Sequence, residues 1–241
     1  MKTAILLLFT ILLVSCVNEI EQKDKPINND KIFQYSSKSG LLENNYIGDL
    51  TIGEIKKNGD FGLGTFNMVD GEMVISEGNV YQVKTDGAIN NMENSVLSPF
   101  VVTKFFNADT SIILPNNISL DSLKATIKYL VEEANVPLAI KVTAKFKTLK
   151  SRSVDKVEDE SVTLQEIVAN QTEFDFTDVE GTVIGFWYPQ YFDGVNFPGF
   201  HLHVLLNNFS GGGHLLNCTF EKATIYIDFA SGVNVEFNWW L

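Results

Sequence analysis

Apolar residues along the chain fall into three patterns. One is unbroken: Ala4 to Val14 is an eleven-residue apolar run interrupted only by Thr10, too short at about 1.5 Å per residue to cross a bilayer as a helix. A second recurs at helical spacing. Leu123, Ile127, Leu130 and Val131 lie on one face of Ser119 to Ala134, with Ser119 as N-cap and Asp121 in the first turn. Shorter helices are predicted over Ser39 to Asn45, Leu50 to Lys56 and Leu164 to Asn170. The third pattern is the commonest: short segments rich in Val, Ile, Phe and Tyr between turn signals such as Lys57-Asn-Gly-Asp60, Asp70-Gly71, Asp86-Gly87, Asp193-Gly194 and Gly211-Gly-Gly213. Predicted strands include Glu72 to Ser76 paired with Asn79 to Lys84, then Phe100 to Phe106, Leu138 to Leu149, Thr182 to Tyr188, His201 to Leu206, Gly213 to Phe220, Thr224 to Phe229 and Val233 to Trp239.

The charged stretch Val154 to Ser161 reads as a solvated connection and divides a mixed first half from a second that is nearly all strand. The organisation expected is a leader at 1–15, a flexible linker at 16–31, a mixed α/β subdomain at 32–153 and a β-rich subdomain at 154–241.

Composition narrows the function. At 241 residues and 45% apolar the chain can build a sizeable core, and a formal net charge of −12 offers no basic surface for a polyphosphate, so nucleic acid is not expected as a partner. The leader carries one charge, Lys2, and ends Leu13-Val14-Ser15-Cys16, which resembles a bacterial lipoprotein signal. On that resemblance Cys16 is lipidated, and the protein is exported to the cell envelope and held at the membrane by its acyl chains alone. That removes one of two cysteines from any disulfide and leaves Cys218 as a small buried apolar residue.

All three histidines fall in one segment from Phe200 to His214. On a strand, His201 and His203 share a face while Leu202 and Val204 point the other way. Asn207 to Gly212 supplies the turn, and folding the segment about its midpoint sets His203 opposite His214, where cross-strand Cβ atoms are about 5 Å apart. A lone His-x-His is more often structural than ligating, but a third histidine at hairpin spacing reverses that balance. Three neutral imidazoles that leave a position open suit catalytic Zn²⁺; iron, manganese, cobalt and nickel accept the same ligands.

These residues resemble a known family. Gly199-Phe-His-Leu-His203 with Ser210-Gly-Gly-Gly-His214 is similar to the metal site of the alpha-acetolactate decarboxylases, zinc lyases that convert acetolactate to acetoin and CO₂. Tyr46-Ile-Gly-Asp-Leu-Thr-Ile-Gly-Glu54, Gly59-Asp-Phe-Gly-Leu-Gly-Thr-Phe66, Val69-Asp-Gly-Glu-Met73, Tyr81-Gln-Val-Lys-Thr-Asp-Gly87, Lys150-Ser-Arg-Ser-Val154 and Gly181-Thr-Val-Ile-Gly-Phe-Trp187 follow in the family's order. The resemblance implies an α/β (α+β) fold of two mixed β-sheet subdomains joined into one larger sheet, and a homodimer. It also implies metal ligation by His201, His203 and His214, catalytic roles for Glu72 and Arg152, and substrate contact by Thr65 and Arg152. Taken alone, Glu72 reads as a solvated strand edge and Arg152 as a surface cation; only the similarity raises them.

The chemistry gives those groups work. Loss of CO₂ from acetolactate leaves an electron pair on carbon as an enediolate, whose charge Zn²⁺ can hold and Arg152 can neutralise; a buried Glu72 is a candidate to deliver the proton, with the choice between Glu72 and Arg152 left open. Three positions depart from the family pattern: Thr143-Ala144 replaces an acidic-Gly pair, Asn217 stands where an Asp is usual, and the chain stops at Leu241 where relatives continue into an acidic tail. The departures leave two alternatives open. One is a lipid-anchored binding module of the same fold using Phe186, Trp187, Tyr188, Tyr191 and Phe192; the other is a zinc lyase for a different small hydroxy-keto acid. The leader generates its own prediction. Cys16→Ser should move the expressed protein from the membrane fraction to the soluble fraction, and unchanged partition contradicts lipid anchoring.

Overall fold

In the computed structural model of the protein, residues 17–19, 30–131 and 134–237 are described. The expected leader and Cys16 lie outside them, and among them no helix is long and apolar enough to cross a membrane. The chain runs through β1 (Val17–Glu19), β2 (Lys31–Tyr35), α1 (Lys38–Leu42), β3 (Leu50–Thr51), α2 (Ile52–Asn58), β4 (Phe61–Thr65), β5 (Glu72–Ser76) and β6 (Asn79–Val83). There follow β7 (Ile89–Asn91), β8 (Leu97–Ser98), β9 (Phe100–Lys104), β10 (Thr110–Ile113), β11 (Ile118–Ser119) and α3 (Leu120–Val131). The last part holds β12 (Leu138–Ser153), α4 (Leu164–Ala169), β13 (Thr172–Tyr188), β14 (Gly199–Leu206), β15 (Gly212–Phe229) and β16 (Gly232–Glu236).

Local chemistry starts the helices. Thr51 and Thr163 each accept from the backbone N–H three residues on, while Glu54 and Glu166 reach back to the cap, so α2 and α4 both open on a capping box. The longest helix, α3, buries Leu123, Ile127 and Val131 on one stripe as the spacing predicts, together with Leu120, whereas Leu130, expected on that face, is exposed.

Two seven-stranded sheets carry the fold. The order in one is β16-β2-β9-β4-β5-β6-β7, with β16 parallel to β2 and the remaining neighbours antiparallel. The other runs β1-β10-β15-β12-β13-β14, with β11 and β14 also on β15, and is antiparallel throughout. The sheets meet through packed faces, and among the described residues no strand pairs across between them. Phe61, Leu63, Val74, Phe100 and Val102 of the first share one core with Ala139, Ile184, Phe186, Tyr188 and Leu205 of the second. Ile52 and Ile55 of α2 cover the outer face of the first sheet, and α3 covers that of the second, giving four layers.

The chain does not divide as its composition suggests. β12 pairs along its length with β13, and β16 returns to the first sheet, so a boundary at 153/154 falls within a hairpin. Three residues of the expected linker pair with β10 as β1. Thr172 to Gly181, omitted from the strand reading, extend β13. The two strands expected on either side of Glu221 are one strand, β15, whose register against β12 steps between Lys145 and Phe146, from Lys222 to Phe220, so that Glu221 is the extra residue of a bulge.

Buried polar contacts stitch the sheets together. Lys104 of β9 reaches Asp228 of β15 at 3.2 Å and Asp30 at 2.9 Å. Elsewhere along the contact, Ser153 Oγ donates to the Val83 carbonyl at 2.7 Å, while Ser151 Oγ donates to Gly212 of its own sheet at 2.7 Å. Here β12 and β15 approach so closely that a Cβ on Gly213, whose φ is +108°, would stand 2.2 Å from the Arg152 carbonyl oxygen. Gly213→Ala should therefore lower unfolding stability by at least about 2 kcal/mol. An unshifted denaturant midpoint would contradict the close approach.

Candidate metal centre

The histidine hairpin has the register its midpoint dictates: His203 faces His214, Val204 faces Gly213 and Leu205 faces Gly212. Leu202 and Val204 enter the core beneath α3, turning His201 and His203 into the contact between the sheets. The three rings stand 5.1, 5.1 and 5.3 Å apart between centroids, and one nitrogen from each falls within 4.8 Å of the others.

The electrostatics of the cluster suit a cation. His201 Nδ1, His203 Nε2 and His214 Nδ1 are buried without a hydrogen-bond partner. Burial holds all three imidazoles neutral, lowering His201 and His203 to about 3 and His214 well below its ordinary value. His203 Nδ1 lies 2.8 Å from the Met73 carbonyl oxygen, which fixes Nδ1 as the protonated nitrogen and leaves the Nε2 lone pair turned to the cluster. That lone pair is 3.2 Å from Glu72 Oε2, a contact that needs a proton or a cation between the two. Three neutral imidazoles that each bring a ring nitrogen to one cluster are what an imidazole-preferring divalent cation satisfies, so these residues fit the group and can hold it.

The first sheet supplies the opposite wall. Glu72 opens β5 directly across from Thr65, and its Oε1 accepts from Arg152, which lies across from His214 on β12. Burial pushes the Glu72 carboxyl above its usual range, against the opposing pull of the Arg152 guanidinium. Thr65, Glu72, Arg152, His201 and His214 line one cavity of about 260 Å³. Thr65 is thus at the site as expected, although its hydroxyl proton is committed to the Gly71 carbonyl at 2.7 Å.

Sequence reasoning missed the rest of the lining. Leu164, Ile167 and Val168 of α4 line the cavity with apolar side chains, as do Leu41, Val154, Phe100, Phe197 and Phe200. Val69 joins them with a φ of +55°, unusual for a β-branched residue. The signal for α4 was its capping box; for Val69 there was none. Other candidates lie elsewhere. Phe186 and Tyr188 are buried in the shared core, so the aromatic run offers no continuous ligand surface, while Tyr191 is exposed. Cys218 packs beneath α3, where burial pushes its thiol up to about 12. Thr143 is exposed and lines a different cavity, and Asn217 Oδ1 accepts from the Cys218 N–H.

Several proteins similar in sequence to this chain are decarboxylases by name. Residues 32–239 match the sequence profile described as alpha-acetolactate decarboxylase. The chain is 37% identical over 220 residues to the alpha-acetolactate decarboxylase of Methanosarcina mazei, covering 90% of this chain and 76% of that one. It is 35% identical over 217 residues to that of Bacillus licheniformis, covering 90% and 85%. The crystal structure of alpha-acetolactate decarboxylase from Bacillus subtilis strain 168 superposes with a TM-score of 0.84 at 32% identity, over 87% of this chain and 90% of that chain.

Filling the histidine cluster should stabilise the protein measurably. Zn²⁺ at a free concentration 100-fold above its dissociation constant adds about 2.7 kcal/mol, which for a chain of this size raises Tm by roughly 5–10 °C. The shift should vanish in His203→Ala; an equal shift in that variant would place the ion elsewhere.

Proposed function

The chain belongs to the alpha-acetolactate decarboxylase family, whose members are carboxy-lyases, and from that premise we propose that it decarboxylates 2-acetolactate to acetoin and CO₂ with Zn²⁺ held by His201, His203 and His214. The observation that carries this reading is the meeting of three unpartnered imidazole nitrogens with the Arg152–Glu72 pair across one small cavity. When bound, the cation supplies Lewis-acid stabilisation of the negative charge that develops as CO₂ departs.

The side chains divide the remaining work. Arg152, fixed between Ser151 and Ser153, presents a permanent positive charge to the substrate carboxylate or to the oxyanion that follows it. Because its other partner is Glu72, a carboxylate entering the site competes for the guanidinium and weakens the hold that opposes Glu72 protonation. Glu72, entering the reaction protonated, then delivers that proton to the carbon that lost CO₂ and is left as a carboxylate beside Arg152. Delivery from one wall of the cavity favours one face of the planar enediolate and hence one hand of acetoin. The apolar wall formed by α4 keeps bulk water from protonating the same carbon at random.

Export and lipid attachment at Cys16 belong to this reading as well, supported by the leader sequence, as does the homodimer that the resemblance implies. The acid is the most exposed claim. Glu72→Gln should still take up one equivalent of Zn²⁺ but lose about 10²–10⁴-fold in kcat. Full turnover in that variant would remove Glu72 from proton delivery.

A further inference from the structure

The cavity lining is of two kinds. Glu72, Arg152, His201 and His214 present polar groups, whereas Leu41, Val69, Leu164, Ile167 and Val168 offer a substrate only apolar side-chain surface. A 2-hydroxy-3-keto acid has matching parts: a carboxylate, hydroxyl and ketone that need the polar groups, and alkyl substituents that do not. This inference rests on the reading of the site as a decarboxylase.

Val69 is the unusual member of the apolar wall. Left-handed backbone is open to Gly and tolerated by Asn, but a β-branched side chain there crowds its own carbonyl. The chain nevertheless places Met68 at φ +62° and Val69 at +55° in succession. The surroundings enforce it. Met68 N–H donates to the Tyr46 carbonyl at 2.8 Å, and the Met68 carbonyl accepts from Val157 N–H at 3.0 Å. Asn67 bonds both backbone groups of Gly48 at 2.9 Å, and the Asp70 carbonyl accepts from Gln82 at 2.7 Å. The strain turns the Val69 side chain into the cavity three residues before Glu72, leaving it 5% exposed. Tyr46 also steadies the facing wall, since its hydroxyl donates to the Val162 carbonyl at 3.1 Å just ahead of α4. Val69 and α4 are thus held to one frame, and the gap between them is fixed.

We propose that Val69 is the specificity-determining residue of an alkyl subsite. Its left-handed backbone fixes how long a substituent on the hydroxyl-bearing carbon can fit between it and α4. A glycine would satisfy the backbone without filling the space, which explains why a side chain is kept at a strained position.

The test uses full-length protein loaded with one equivalent of Zn²⁺ and two hydroxy acids that lack the ketone and so cannot decarboxylate: 2-hydroxy-2-methylpropanoate and 2-hydroxy-2-methylpentanoate. Calorimetric titration gives the ratio of their affinities. Val69→Ala and Val69→Gly should shift that ratio about tenfold or more toward the longer acid, and Val69→Ile should shift it the other way. Val69→Gly should melt no lower than Val69→Ala, the reverse of the usual order, because only glycine is unstrained at this φ. A ratio within twofold of wild type in the folded variants overturns the proposal, as does a Val69→Gly Tm well below that of Val69→Ala. Acetoin formation by the loaded wild-type protein is measured alongside. Its absence defeats the decarboxylase reading, whereas normal turnover with an unmoved ratio defeats the Val69 subsite alone.

Discussion

The protein depends on one contact, the packed face between its two sheets, because that contact removes water from groups that ordinarily require it. An unsatisfied buried polar atom costs about 1–3 kcal/mol, and one hairpin buries three such nitrogens, one on each ring of the histidine cluster. Apolar packing would have been the cheaper filling. The same dry contact keeps the imidazoles neutral, as a metal ligand must be, and raises the Glu72 carboxyl toward holding a proton. Burial therefore prepares both the lone pairs and the acid.

Each sheet brings a different part of the chemistry. The antiparallel sheet carries the histidines and Arg152 on β12, β14 and β15, and the mixed sheet carries Thr65 and Glu72 on β4 and β5. The two sets meet through the Arg152–Glu72 pair and the His203–Met73 bond. A buried ion pair is weak evidence of stabilisation, since desolvation offsets most of the attraction. Its placement beside three unpartnered nitrogens makes chemistry the better reason for its presence.

Much of this was legible in the sequence where the signal is local. The histidine hairpin follows from a period of two and a turn rich in Asn and Gly, and its register is as expected. The helices follow from spacing and caps. What escaped was nonlocal or unsignalled. Glu72 and Arg152 lie 80 residues apart, and nothing near either announces the other, so only the family resemblance singled them out. β4 was missed because Gly62 and Gly64 look like turn residues, although they are glycines because a Cβ at either would meet a β9 carbonyl oxygen at 2.3 Å. The outer half of β13 alternates Phe174 and Phe176 with acidic residues and buries neither fully, so its only signature was a short period of two. Val69 carries no mark at all, since its left-handed backbone is imposed by residues far along the chain.

The central claim is that the converging imidazoles serve a metal ion. Its most direct measurement is anomalous diffraction at the zinc edge from crystals of protein purified without chelator. The account predicts a single strong peak about 2.0–2.1 Å from one ring nitrogen of each of His201, His203 and His214. No peak there, with the three rings hydrogen-bonded to ordered water or turned away from one another, would contradict it.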